Sequence, residues 1–372
     1  MSKSKKENLA IIGASYLQLP LIEKAKQMGF ATHVFAWAAN DVGETAADFF
    51  YPVSIVEKDR ILGICREIGI CGICSIASDL AAVTVNYVAE KMNLPGNGME
   101  TALRSTNKHL MRLAFEENGD PSPLSVLVDE NTDIESLHLR YPVIVKPTDR
   151  SGSRGITKVE SGKDLASALS LAFENGFEKK ALIEEYIEGD EYSVECISFN
   201  GEHHFLALTL KYTTGAPSFI ETGHLEPAPV SLGTTERIKD IVFHALNSLG
   251  IRNGASHSEI KITPAGEIKI IEIGGRMGGD CIGSDLVMVS TGYDFVKMVI
   301  QTACGEEPDF SLICQPAAVE SRFILTQEDL TEYERIKNNE PERLIKTVDY
   351  HPEKIGYTTD SSNRAGCYIV YA

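Results

Sequence analysis

Short apolar runs alternate with stretches of helical period through the first hundred residues. Leu9-Ala10-Ile11-Ile12 runs into Gly13-Ala14-Ser15 and then a helix to about Met28. His33 to Ala36 reads as a second strand and Tyr51 to Ile55 as a third, and Glu57 to Ile68 has the 3.6-residue period of an amphipathic helix. Ile70 to Ala77 is a continuous apolar run of the kind parallel sheets bury on both faces, and Ser78-Asp79 caps a helix through Met92. Strands alternating with helices of this length predict a parallel α/β sheet.

The texture changes after Leu94-Pro95-Gly96. Ser105-Thr106 caps a predicted helix from Asn107 to about Asn118, and a further helix is predicted near Thr132 to Leu139. The strand Pro142 to Pro147 then leads into the polar loop Thr148 to Gly155, the strand Ile156 to Val159 and a helix from Lys163 to Asn175. From Ala181 to Ile273 the pattern is mostly strand, with one helix at Thr234 to Leu249, and the tail beyond Pro316 mixes short strands with the charged stretch Glu328 to Lys346. The predicted organisation is an N-terminal Rossmann-like domain over residues 1–100, a small α+β lobe over 101–178 and a larger lobe over 179–372.

Composition narrows the function classes. Of 372 residues, 43% are hydrophobic and 24% charged, which suits a globular chain with a real core. No run approaches the ~18 apolar residues of a membrane helix. The start, Met1 to Glu7, is polar, and Leu9 to Ile12 is too brief for a signal-peptide core, so a cytoplasmic protein is expected. The net charge of −18 disfavours nucleic acid and anionic lipid, so any phosphate ligand needs positive charge gathered at one place. Eight irregularly spaced cysteines read as reduced thiols, and Cys71-Gly72-Ile73-Cys74 lies in a buried strand with no second pair at zinc spacing. Gly13-Ala14-Ser15-Tyr16-Leu17-Gln18 carries one glycine where a dinucleotide fingerprint needs three, which argues against NAD.

Five segments carry chemistry. Lys146 ends an apolar strand before the turn Ser151-Gly152-Ser153-Arg154-Gly155, where a cation and several free amides can cradle one anion. Lys108 opens a helix and gains meaning only beside a second cation. In Leu182-Ile183-Glu184-Glu185-Tyr186-Ile187 an apolar strand opens into an acidic segment; its backbone suits an adenine edge and Glu191 suits ribose hydroxyls. His257 to Ile262 and Glu267 to Glu272 read as a hairpin. A two- or four-residue loop puts Glu259 directly across from Glu272, with Cβ atoms about 5 Å apart, an arrangement that demands a cation or a proton. A three-residue turn with a bulge puts Ile271 there instead and turns Glu272 away; the sequence leaves both registers open. Finally, Gly274-Gly275-Arg276-Met277-Gly278-Gly279-Asp280 surrounds one arginine with glycines, letting a guanidinium meet a phosphate or a developing oxyanion.

In this order the pieces resemble the ATP-grasp superfamily over most of the chain. Within it they resemble the carboxylate–amine ligases, including L-amino-acid ligases, and more distantly biotin carboxylase and the carbamoyl-phosphate synthase large chain. The resemblance implies ATP and Mg²⁺ (with Mn²⁺ as an alternative). Lys108, Lys146 and the loop residues Ser151, Gly152, Ser153 and Gly155 would hold the phosphates, and Glu184, Glu185 and Ile187 the adenine. Glu191 would take the ribose, and Glu259 and Glu272 the metal. Arg276 matches the arginine four positions beyond the second metal ligand. Phe219 to Pro229 and Arg364 to Ile369 are similar to segments of the ligase group, with His224 aligned to a histidine near the nucleotide. Gly274 departs from the asparagine many members carry, which bears on the number of metal ions. Asp280 falls where the carboxylases keep an acidic catalytic residue and would orient or deprotonate an amine. His257 would border the acceptor site or serve as a hydrogen-bonded strand histidine. The implied reaction joins a carboxylate to an amine, with amino acids among the substrates the resemblance suggests, through an acyl phosphate, with ADP and phosphate released. Rival expectations are carboxylation, carbamoyl-phosphate-like synthesis, or nucleotide binding without turnover. Many relatives are dimers, so a homodimer is a further expectation.

Overall fold

The computed structural model describes residues 6–216, 219–356 and 364–372; Met1 to Lys5 of the polar start lie outside the described residues. Four strands, β1 (Asn8–Ile12), β2 (Ala31–Ala36), β3 (Phe49–Pro52) and β4 (Gly72–Cys74), form a parallel sheet in the order β3-β2-β1-β4. Leu9 and Ile11 pack into one apolar cluster and Ala10 and Ile12 into another, so β1 is buried on both faces, as its unbroken apolar run requires. The predicted strand Ile70 to Ala77 is shorter. After Cys74 the chain leaves the sheet, and the Ala77 amide donates to the Met277 carbonyl at 3.2 Å. Ser78 caps the helix Asp79–Met92 by accepting from the Ala81 amide. This departure carries Asp79 toward the rest of the molecule.

A second, antiparallel sheet contains β5 (Ser125–Val128), β6 (Val143–Pro147), β7 (Thr157–Val159) and β8 (Ala181–Glu185) in the order β5-β8-β6-β7. β8 therefore belongs with the small lobe, although it lies beyond the 178/179 boundary read from the sequence. Two local readings are corrected. The helix expected near Thr132 to Leu139 is only the 3₁₀ turn Ile134–Ser136; Leu137 and Leu139 alternate, and both pack against the small lobe's core from extended chain. The cap of the helix Lys108–Asn118 is Asn107, whose side chain accepts from the His109 and Leu110 amides. Ser105 and Thr106 instead donate backwards to Ala102 O (3.2 and 2.7 Å), closing a helix, Gly98–Arg104, that the pattern did not reveal.

The third sheet has eight strands: β9 (Asp190–Phe199), β10 (Glu202–Thr213), β11 (Glu221–Glu226), β12 (Gly254–Ile262), β13 (Ile268–Gly274), β14 (Val319–Phe323), β15 (Leu344–Val348) and β16 (Cys367–Tyr371). Their order is β13-β12-β9-β10-β11-β14-β16-β15, antiparallel throughout. The helix Leu232–Leu249 buries Ile238, Val242, Ala245, Leu246 and Leu249, and shares a core with β9, β12 and β13. The α/β domain followed by two antiparallel lobes matches the expected fold class.

Candidate active site

A cleft of about 1070 Å³, open mouth included, is lined by residues between Lys108 and Arg276, from the small and large lobes. The β12–β13 hairpin decides its chemistry. The Thr263 amide donates to Glu267 O, and pairing near the turn runs Ile262 to Ile268 and Ile260 to Ile270, the register of the three-residue turn. A bulge then absorbs Ile271, so that Glu259 stands opposite Glu272. Both alternatives are thus realised in succession, and the bulge restores the acidic pair.

Each carboxylate meets its own ammonium. Glu272 accepts from Lys108 Nζ at 2.7 Å, and that ammonium also donates to Arg150 O at 2.7 Å. Glu259 accepts from Lys211 Nζ at 2.6 Å; Lys211 further pairs with Glu191 (2.9 Å) and Glu221 (3.6 Å). Burial alone would lower the Lys211 pKa, but Glu259, Glu191 and Glu221 raise it well above the ordinary lysine value. Burial raises the Glu259 pKa, and Lys211 with His257 more than reverses this, leaving it well below the usual carboxylate range. His257 hydrogen-bonds Glu195 through Nδ1 and lies 3.6 Å from Glu259 through Nε2. Burial opposes its protonation, yet Glu195 lifts it to about 9.

Deeper in, Glu184 is a buried carboxylate gripped by the Arg112 fork (2.8 and 3.2 Å) and by Lys146 Nζ (2.7 Å). Its own burial would raise its pKa, and those two cations bring it below normal. Burial lowers that of Lys146, with Glu184 opposing. The Glu184 side chain therefore positions Lys146 and does not present itself to an adenine. Arg276 is held bidentately by Asp79 (Nε to Oδ1 2.7 Å, Nη2 to Oδ2 3.2 Å), so a residue of the N-terminal domain aims the guanidinium.

Lys108, Lys146, Ser151, Gly152, Ser153, Glu184, Glu185, Ile187, Glu191, Glu259, Glu272 and Arg276 all line this cleft. Three expected residues do not. Gly155 is a turn glycine (φ +71°) packed against Pro147 and Asn175. His224 is buried on β11, bonded to Ser321 at 3.0 Å and held neutral, its pKa pushed down to about 3 by burial and then by Lys211. Asp280 faces a separate cavity and pairs with Arg364 at 2.6 Å. The sequence reading missed Lys211, Asp79, Arg112 and Glu195. Arg112 was findable one helical turn beyond Lys108 on the same face. Glu195 and Lys211 are charges inside apolar strands, which need buried partners.

A divalent ion is implied by the paired carboxylates. Among the described residues no group of three or more His, Cys, Asp or Glu is placed to hold one. Glu259 and Glu272 do fit an ion shared with ligand phosphates, because hard oxygen donors stand side by side, each about a quarter exposed to the cleft. A side chain at position 274, such as the asparagine the resemblance would place there, would need its neighbours to give by a few tenths of an ångström. A Cβ there would lie 3.2 Å from both Arg276 Nε and Asp79 Oδ1, so the Asp79–Arg276 pair borders that space.

The fold and this site agree with the comparisons: residues 139–285 match the family described as ATP-grasp domain. It is 25% identical over 305 residues to an alanine--anticapsin ligase of Bacillus subtilis, covering 72% of this chain and 64% of that protein, somewhat under two thirds of its length. A D-alanine--D-alanine ligase of Actinobacillus succinogenes is 28% identical over 232 residues, covering 58% of this chain and 73% of the relative. Among solved structures, an L-amino acid ligase from Bacillus licheniformis superposes with a TM-score of 0.83 at 24% identity, covering 99% of this chain and 94% of that one. An N5-carboxyaminoimidazole synthetase from Staphylococcus aureus, complexed with ADP, gives 0.77 at 20% identity over 100% and 95%. Among the described residues no helix is long and apolar enough to cross a membrane.

Proposed function

We propose that this chain is an ADP-forming ligase that joins a carboxylic acid to an amine through an acyl phosphate. One observation carries the reading. Two buried lysines, Lys108 and Lys146, and a positioned arginine converge with the Glu259–Glu272 pair in a single cleft of a chain whose net charge is −18. Such a gathering of cations suits a triphosphate, which brings about four negative charges.

In this reading Lys108, Lys146 and the amides of Ser151 to Ser153 bind the phosphates of ATP. Glu191 takes the ribose, and the chain around Glu185 to Ile187 borders the adenine. Glu259 and Glu272 would hold Mg²⁺ or Mn²⁺, which when bound supplies charge neutralisation on the phosphates. The substrate carboxylate attacks the γ-phosphorus in line, and the β–γ bridging oxygen leaves with ADP. The amine then attacks the acyl carbon, losing a proton, and phosphate departs. Arg276 faces the oxyanion that develops on that carbon. The loop at Arg150 to Ser153 excludes water, because hydrolysis would waste the acyl phosphate.

ADP release over pairs of amino acids, with ATP and Mg²⁺, tests the reaction. Amine-dependent release is expected. Bicarbonate-dependent release without any amine would favour carboxylation, and silence with every acceptor would favour a binding module. Glu272→Gln keeps the side chain's shape beside Lys108 and should lower amine-dependent release at least about 100-fold with an unchanged circular dichroism spectrum. Turnover unaffected by this change sinks the metal-ligand role.

A further inference from the structure

Cys71-Gly72-Ile73-Cys74 carries β4 past the end of the helix Phe295–Ala303. Gly72 sets the approach. A Cβ there would lie 2.7 Å from Ala303 O and 2.9 Å from Cys304 Sγ, so the missing side chain lets the helix end rest on the strand. Cys71 Sγ and Cys304 Sγ, 233 positions apart in the chain, therefore stand 3.9 Å from each other. Both are half-buried, within reach of a small solute, whereas Cys74 is buried in the core.

The two thiols sit on parts of the chain whose alignment matters to the cleft. β4 leads to Asp79, which holds Arg276. The helix Phe295–Ala303 shares one apolar core with Leu9 and Ile11 of β1 and with Ile197, Leu206, Ala207 and Ala255 of the large sheet, so it joins the N-terminal domain to the large lobe. A bond between the two sulfurs would close a covalent ring over residues 71–304, which contains the Asp79–Arg276 pair and every residue that lines the cleft. The thiols also differ. A hydrogen bond from Cys304 draws the Cys71 pKa below the ordinary thiol value, although burial and the carboxylates of Glu7 and Glu306 oppose it. The same bond and burial push Cys304 up, which leaves Cys71 the sulfur that attacks.

We propose that Cys71 and Cys304 are a reversible oxidation site, closed to a disulfide by a peroxide or a small-molecule disulfide, and that the bond staples the N-terminal domain to the large lobe. With hydrogen peroxide, the Cys71 sulfur attacks one oxygen, the O–O bond breaks, and water leaves a sulfenic acid on Cys71. The Cys304 sulfur then attacks the Cys71 sulfur, the S–O bond breaks, and the hydroxide departs as a second water with the Cys304 proton. The two thiols lose two electrons and two protons, and the peroxide is reduced to two waters. The sulfurs close from 3.9 Å to about 2.05 Å. An external thiol reverses the bond by exchange. None of this depends on the ligase reading.

The test starts from Cys314→Ser, because Cys314 is the exposed thiol among the described residues and could bridge between molecules. This protein is treated with hydrogen peroxide or, in parallel, with oxidised glutathione; free thiols are then alkylated and the peptides mapped by mass. A linked Cys71–Cys304 peptide that dithiothreitol separates is expected, together with a Tm raised by at least about 3 °C over the reduced form. Adding Cys71→Ser should remove both effects. Adding Cys304→Ser should leave a Cys71 sulfenic acid that dimedone traps. Full alkylation of both thiols after oxidation overturns the proposal, as does a bridge from Cys71 to Cys74 or a glutathione adduct on Cys71 that Cys304 does not resolve. A linked protein with an unchanged Tm overturns the staple.

Discussion

Glu226 sits fully buried on β11, where its carboxyl meets the hydroxyls of Thr209 (2.5 Å) and Ser290. Burial pushes its pKa from 4.5 up to about 7. A raised folded-state pKa gives stability that is fully present below about 4.5 and lost as pH rises through about 7. Glu226→Gln has no such titration. Between pH 4.5 and pH 8 the wild type should therefore lose roughly 1–3 kcal/mol relative to the Gln variant, read from urea unfolding of both proteins. A difference that stays constant across that range would show that the carboxyl is ionised in the folded state throughout. Two positions earlier on the strand, His224 is held neutral by the same burial. Here β11 runs through an interior that resists charge, and the charged work falls to Glu221 at its first position.

Where two elements meet, single backbone positions set the geometry. Gly189 links β8 of the small sheet to β9 of the large one at φ +144°, and a Cβ there would lie 2.1 Å from Ile262 O. Neither atom is the end of a flexible side chain, so the strands themselves must shift. Gly189→Ala should cost at least about 2 kcal/mol, seen as a lower urea midpoint, and an unchanged midpoint would mean that the lobes can separate freely there. The sequence made most elements legible, because an unbroken apolar run such as Leu9 to Ile12 and the period of Leu232–Leu249 each report how they are buried. It could not make the short pieces legible. Ser125–Val128 and Gly98–Arg104 are too brief to show a period, and their stability comes from neighbours distant in sequence. The hairpin shows the same limit. Turn chemistry and charge pairing each proposed one register, and a bulge at Ile271, where Arg112 Nη2 donates to the carbonyl at 2.6 Å, satisfies both.

Across the whole molecule, motif residues were readable and their partners were not, since a partner's identity depends on which remote strand or helix the fold brings near. Asp79 illustrates this: in sequence it is a helix-capping residue, and in space it is the counter-ion of Arg276, 197 positions away. Burial would raise its pKa, but Arg276 holds it below the ordinary aspartate value, so the pair is ionic. The N-terminal domain thereby contributes orientation to a cleft whose lining residues all belong to the other two units. Replacing that carboxylate by an amide keeps the volume and removes the charge that fixes both guanidinium edges. Asp79→Asn should then lower kcat about 10- to 100-fold, while the KM for ATP, set by Lys108, Lys146 and the loop, stays within about twofold. Asp79→Glu should recover part of the loss by restoring the charge. The opposite split, a weakened KM for ATP with kcat intact, would place Arg276 on the nucleotide instead of the acyl group and reassign what the N-terminal domain does for the reaction.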